Sequence, residues 1–90
     1  MTKSLTDRAL LLIKKSSLDE LTRAGATDYN RWVNIKRERA RVGADEIEVL
    51  ANFYPKYRWW LLTGEVNPEN GQTSPEYDEA NKNLPNQNAG

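Results

Sequence analysis

Ninety residues make one small domain with a modest core. The chain has no cysteine and no histidine, which excludes a disulfide framework, a cysteine-based metal site and the commonest general base. The formal charge is zero, but residues 1–64 carry twelve Lys or Arg against eight Asp or Glu, a net of +4, and residues 65–90 carry one Lys against five acids, a net of −4. The zero therefore hides two parts with different tasks.

No run approaches the roughly 18 apolar residues of a membrane span, and the N-terminus lacks the layout of a secretory signal. The expected setting is the cytoplasm. From Thr6 to Lys15, residues Ala9, Leu12 and Ile13 recur at helical spacing, with Thr6 as the expected N-cap and two lysines at the negative end of the helix dipole. Ser17-Leu-Asp-Glu20 has the capping-box form and opens a short second helix, about Leu18–Ala24, with Leu18 and Leu21 inward. Gly25 stops it, because glycine enters left-handed backbone without steric cost.

Thr27 is the expected cap of a third helix, with Asp28 in its first turn. Arg31 to Arg41 holds five basic residues and one acid. At about 100° per residue, Ile35 and Val42 share a side with Trp32, while Asn30, Asn34, Arg37 and Arg41 share the opposite side. Asparagine bonds adenine in pairs and arginine bonds guanine, so that face suits the DNA major groove. Arg39 falls on the apolar side. The helix is therefore expected to end near Arg37, with a basic loop before Gly43.

Ile47, Leu50, Ala51 and Tyr54 form a fourth amphipathic helix, which Pro55 interrupts. Tyr57-Arg-Trp-Trp-Leu-Leu62 is a short aromatic fifth, stopped by Gly64. Adjacent helical residues point about 100° apart, so Trp59 and Trp60 cannot share one narrow core seam: either one is in the core and the other on a self-association surface, or both are core residues of a small domain short of apolar area. Residues 1–66 thus form the domain. Residues 67–90, rich in asparagine, proline and acid, read as a disordered tail. With charges of +4 and −4 in the two parts, that tail is a candidate electrostatic lid for the basic helix.

Catalytic signals are weak. Asp45, Glu46 and Glu48 are too close in sequence to face each other across a cleft, and read as a solvated acidic helix start. No glycine loop cradles phosphate. The expectation is a protein that is not an enzyme, with no cofactor, metal or small-molecule substrate.

Gly25-Ala-Thr, Trp32-Val-Asn-Ile-Lys-Arg, Ile47-Glu-Val-Leu-Ala-Asn-Phe-Tyr-Pro55 and Trp60-Leu-Leu-Thr-Gly64, in that order, resemble the lambda-repressor-like helix-turn-helix family of phage and bacterial Cro/repressor-type regulators. The resemblance covers about residues 5–66. It implies an all-α, compact five-helix domain that binds palindromic double-stranded DNA as a homodimer and regulates transcription. By the family pattern, Asp28, Tyr29, Asn30, Arg31 and Asn34 would read bases. Ser17 and the basic run, Lys36, Arg37, Arg39 and Arg41, would hold phosphates. The glutamine that many members place at the start of helix two is absent, and the basic run replaces the usual glutamate-x-glycine close of helix three. The alternative is a small helical module that occupies a protein partner through Tyr57, Trp59, Trp60 and the acidic tail.

Overall fold

The first three helices begin where a side-chain oxygen meets an otherwise unpaired backbone N–H. In the computed structural model, which describes residues 4–25 and 27–82, helix α1 spans Leu5–Lys15 and is capped by Ser4, not by Thr6. The Ser4 hydroxyl accepts from the Asp7 amide at 3.1 Å, and the Asp7 carboxylate accepts from the Ser4 amide at 3.4 Å. Helix α2 occupies Leu18–Ala24, the range expected for it. Ser17 caps it through the Glu20 amide at 3.3 Å. Helix α3, Tyr29–Lys36, starts one residue later than expected because Asp28 is the cap, accepting from the Arg31 amide at 2.9 Å. Thr27 is drawn elsewhere: its hydroxyl donates to Glu46.

Helix α3 stops at Lys36, as the position of Arg39 requires. Glu38 then takes left-handed backbone, φ 62°, and its carboxylate pairs with Lys14 at 3.5 Å. Helix α4 runs Ala44–Phe53, a single 3-10 turn covers Pro55–Tyr57, and α5 runs Arg58–Thr63. Pro55 has no amide to extend α4, and Gly64 closes α5 in the left-handed region at φ 82°.

The apolar stripes of these helices meet in one core: Ala9, Leu12 and Ile13 from α1, Leu21 from α2, Trp32 and Ile35 from α3, Val49 and Leu50 from α4, and Tyr57, Trp60 and Leu61. Helix α3 packs on α1 and α2, and α5 packs on α1 and α4. Trp32 is completely buried. Burying each large side chain is worth about 2 kcal/mol, against well under 1 for an exposed ion pair, so the stripes and not the surface charges hold the helices together. A charged side chain also lies inside this packing. Arg8 is 6% exposed, and its Nε donates to the Leu61 carbonyl at 2.9 Å. That carbonyl lies in the last turn of α5, where no intrahelical donor is available.

The expected disorder from residue 67 onward does not describe residues 67–82. They form a 3-10 turn at Pro68–Asn70, an isolated antiparallel bridge between Asn67 and Gln72, and a further helix α6, Pro75–Lys82. Among the described residues there are thus six α-helices where five were expected, and no strand. Polar bonds supply what the segment's composition lacks. The Thr73 amide donates to the Lys56 carbonyl at 2.9 Å. Gln72 accepts from the Trp59 amide at 2.8 Å and donates to the Pro55 carbonyl at 3.0 Å. The Tyr57 hydroxyl donates to Asp78 at 2.8 Å, and Lys56 pairs with the same carboxylate at 2.9 Å. Residues 83–90, the remainder of the expected tail, lie outside the described residues. Among the described residues, no helix is long and apolar enough to cross a membrane.

Because Tyr57 is 9% exposed and its hydroxyl meets a carboxylate, Tyr57→Phe is expected to lower unfolding stability by about 1–2 kcal/mol. Urea denaturation followed by tryptophan fluorescence checks this; an unchanged midpoint would show that α6 docks without that bond.

Candidate nucleic-acid interface

Helix α3 divides its side chains as its periodicity dictates. Trp32 and Ile35 enter the core, while Tyr29, Asn30 and Asn34 are exposed. Arg37, Arg39 and Arg41 are exposed beyond the helix end, and Lys36 is half-buried. The turn after Lys36 takes Arg39 out of the inward register that a continuous helix would give it. Its amide donates to the Asn34 carbonyl at 2.8 Å, so the basic loop is tied back to the helix. Ser17 is exposed at the start of α2 with its hydroxyl engaged as the cap.

Two of the expected base readers are engaged within the protein. Asp28 holds the Arg31 amide as the helix cap. Arg31 lies on the flank of α3 and directs its guanidinium to α4. Its Nε meets Glu46 at 3.0 Å, and its Nη2 meets Glu46 at 3.3 Å and the Arg41 carbonyl at 2.9 Å. Glu46 itself corrects the expectation of a solvated acidic helix start, since it is 3% exposed. It also accepts from the Gly43 amide at 2.7 Å and from Thr27. Burial on its own would raise the Glu46 pKa. The hydrogen bonds from Arg31, Thr27 and Gly43, with the Arg31 charge, outweigh that and hold it down to about 2. The same hydrogen bond, with the carboxylate charge, raises Arg31. Glu46 has a visible signal in the sequence, an acid three residues after a glycine that can start a helix. Its partner fifteen residues earlier has none.

The expected partner surface changes membership. Tyr57 and Trp60 are buried, while Trp59 is 46% exposed. Of the two arrangements open to the tryptophans, the structure has the one with Trp60 in the core and Trp59 at the surface. Leu62, three residues on in α5 and 52% exposed, extends the Trp59 surface into a short stripe, and Val66, past the close of the helix at Gly64, is 38% exposed. The described part of the acidic segment is bonded to residues 55–59 and is not a lid on α3. Among the described residues, no group of three or more acids, histidines or cysteines could hold a metal ion.

No protein-family model and no curated protein matches the chain. Among solved structures, it is similar to Pf6r from the filamentous phage Pf6 of Pseudomonas aeruginosa PA01. The two share 43% identity with a TM-score of 0.86, over 91% of this chain and 98% of that one.

A carboxylate with a depressed pKa stabilises the fold above its unfolded value and loses that contribution as pH falls through the folded one. For Glu46 the window runs from the ordinary glutamate value of 4.5 down to about 2. Acid unfolding should therefore steepen in that window. In Glu46→Gln, stability at pH 7 should be lower and that part of the pH dependence absent; an identical profile for the two proteins would remove Glu46 from the linkage.

Proposed function

The chain belongs to the same family as Pf6r of the filamentous phage Pf6, and from that premise we propose that it is a phage-type regulator, a sequence-specific repressor that binds palindromic double-stranded DNA. The observation that carries the reading is the outward side of α3. Asn30 and Asn34 stand exposed above a helix whose opposite side, Trp32 and Ile35, is fixed in the core. Side chains on a helix so anchored can be presented to base edges with little freedom to lose. Tyr29, Asn30 and Asn34 are the base readers in this proposal. Ser17, Lys36, Arg37, Arg39 and Arg41 face phosphates, and such contacts give binding a strong dependence on salt. Asp28 and Arg31 leave the base-reading set because their side chains are committed within the fold.

The proposal includes α2 and α3 as a helix-turn-helix, a homodimer formed through the exposed Trp59–Leu62 stripe of α5, and action in the cytoplasm, where DNA is met. It involves no catalysis, no cofactor and no small-molecule substrate. A second reading draws on the same stripe, which gives a protein-binding module an apolar anchor of the kind found in interface centres. Selection of bound duplexes from a random pool separates the two, since a module without DNA function enriches no sequence.

Replacing Arg37 and Arg41 together with alanine should reduce the slope of log affinity against log salt by about 0.9 for each lost phosphate contact. A slope equal to that of the parent protein would place both outside the interface. Asn34→Ala should relax preference at one base-pair position by roughly 1–3 kcal/mol, read by competition among single-site operator variants. Uniform weakening on every variant would contradict base reading there.

A further inference from the structure

The junction around Glu46 bears on recognition as well as on folding. We infer that Glu46 is a positioning residue for phosphate recognition: it holds the Arg31 guanidinium so that its remaining Nη1 donors are set for a DNA phosphate on the wall of the groove that α3 enters. The inference rests on the DNA reading above and assigns a task to two residues that the outward face of α3 does not include.

The geometry is specific. A guanidinium has five N–H donors in one plane. The Nε donor of Arg31 goes to Glu46 Oε2 at 3.0 Å, and the two Nη2 donors go to Glu46 Oε1 at 3.3 Å and to the Arg41 carbonyl at 2.9 Å. These bonds use the Nε donor and both Nη2 donors, so the two Nη1 donors are what the guanidinium has left to offer an outside acceptor. The Arg31 side chain is 43% exposed, whereas that of Glu46 is 4% exposed. Behind the arginine, Glu46 is pinned by the Gly43 amide at 2.7 Å and by the Thr27 hydroxyl. Its own position is therefore set by two chain segments. Arg31 follows Asn30 by one residue and lies about 100° further round α3. A side chain there reaches the phosphates lining a groove and not the base edges at its floor. A guanidinium plane held in advance loses less freedom on meeting a phosphate than a free arginine would. Through the Arg41 carbonyl and the Gly43 amide, the same junction fixes both ends of the 41–43 backbone, which carries one of the proposed phosphate contacts.

Charge alone predicts the opposite effect. Removing a carboxylate beside a DNA surface leaves the protein more positive and should tighten binding to any sequence. The test uses the full chain and a duplex enriched from a random pool by the parent protein, with a scrambled duplex as control. In Glu46→Gln the amide oxygen still accepts from Gly43, while its NH2 group opposes the Arg31 Nε donor and the guanidinium is released. Affinity for both duplexes is expected to fall by about tenfold, the loss for one or two charge-assisted bonds, because a phosphate contact carries no sequence information. Arg31→Lys keeps the charge and removes the planar guanidinium, and both affinities should fall similarly. It also decides the matter alone if Glu46→Gln does not fold by circular dichroism. Equal or tighter binding of folded Glu46→Gln to the enriched duplex, or unchanged binding by Arg31→Lys, overturns the inference and leaves the DNA reading intact. A parent protein that enriches no duplex overturns both.

Discussion

Four donors from three segments converge on the Glu46 carboxylate: the Arg31 fork, the Thr27 hydroxyl and the Gly43 amide. A carboxylate with almost no exposure would be costly to keep ionised without them, and with them it stays charged at any ordinary pH. The placement of α3 depends on this junction at both ends. Thr27 leaves the capping position to Asp28 because its hydroxyl is used at Glu46, which shifts the first turn of the helix by one residue. Arg31 bonds the Arg41 carbonyl, which closes the loop that follows the last turn. The core holds α3 against α1 and α2 through Trp32 and Ile35, but a buried stripe only fixes which side faces in. The polar junction adds where the helix starts and how the chain leaves it.

How much of this can be read from the chain depends on how local each cause is. The α2 span and the end of α3 short of Arg39 follow from periodicity and from glycine, and each depends only on neighbours within a few residues. The cap of α3 was misplaced by one because Thr27 and Asp28 are both good caps locally, and the choice is made by Glu46, nineteen residues on. Arg8 gives no local signal for burial either. It is inside because the last turn of α5 has a carbonyl to satisfy. The face of Asn30 and Asn34 was legible, while the withdrawal of Arg31 and Asp28 from it was not, since a sequence shows which way a residue points and not what it meets there.

The segment after residue 66 illustrates the opposite limit of composition. Few of its residues could build a core, and a chain of this kind left to itself would not order. It orders here because it need not build one. Gln72, Thr73 and Asp78 bond to backbone and side chains of residues 55–59 that the core already holds still. The acids at this end of the sequence are thus partly spent on local partners. The opposite charges of the two parts of the chain do not cancel across the molecule by laying one on the other. The basic loop stays open, and a net charge of zero coexists with a face suited to an anionic partner.

Gly43 has an unremarkable backbone, φ −106°, that any residue could adopt. A β-carbon there would nevertheless meet Glu46 Oε1 at 2.9 Å and approach Arg31 Nη2 at 3.7 Å. The terminus of a glutamate can usually swing aside, but this one is fastened from several directions. Glycine at 43 is therefore a consequence of glutamate at 46 and not of chain flexibility. In descendants of this sequence the two positions should drift together: while the acid persists the glycine is trapped, and once the acid is lost, alanine or serine becomes free to appear beside it.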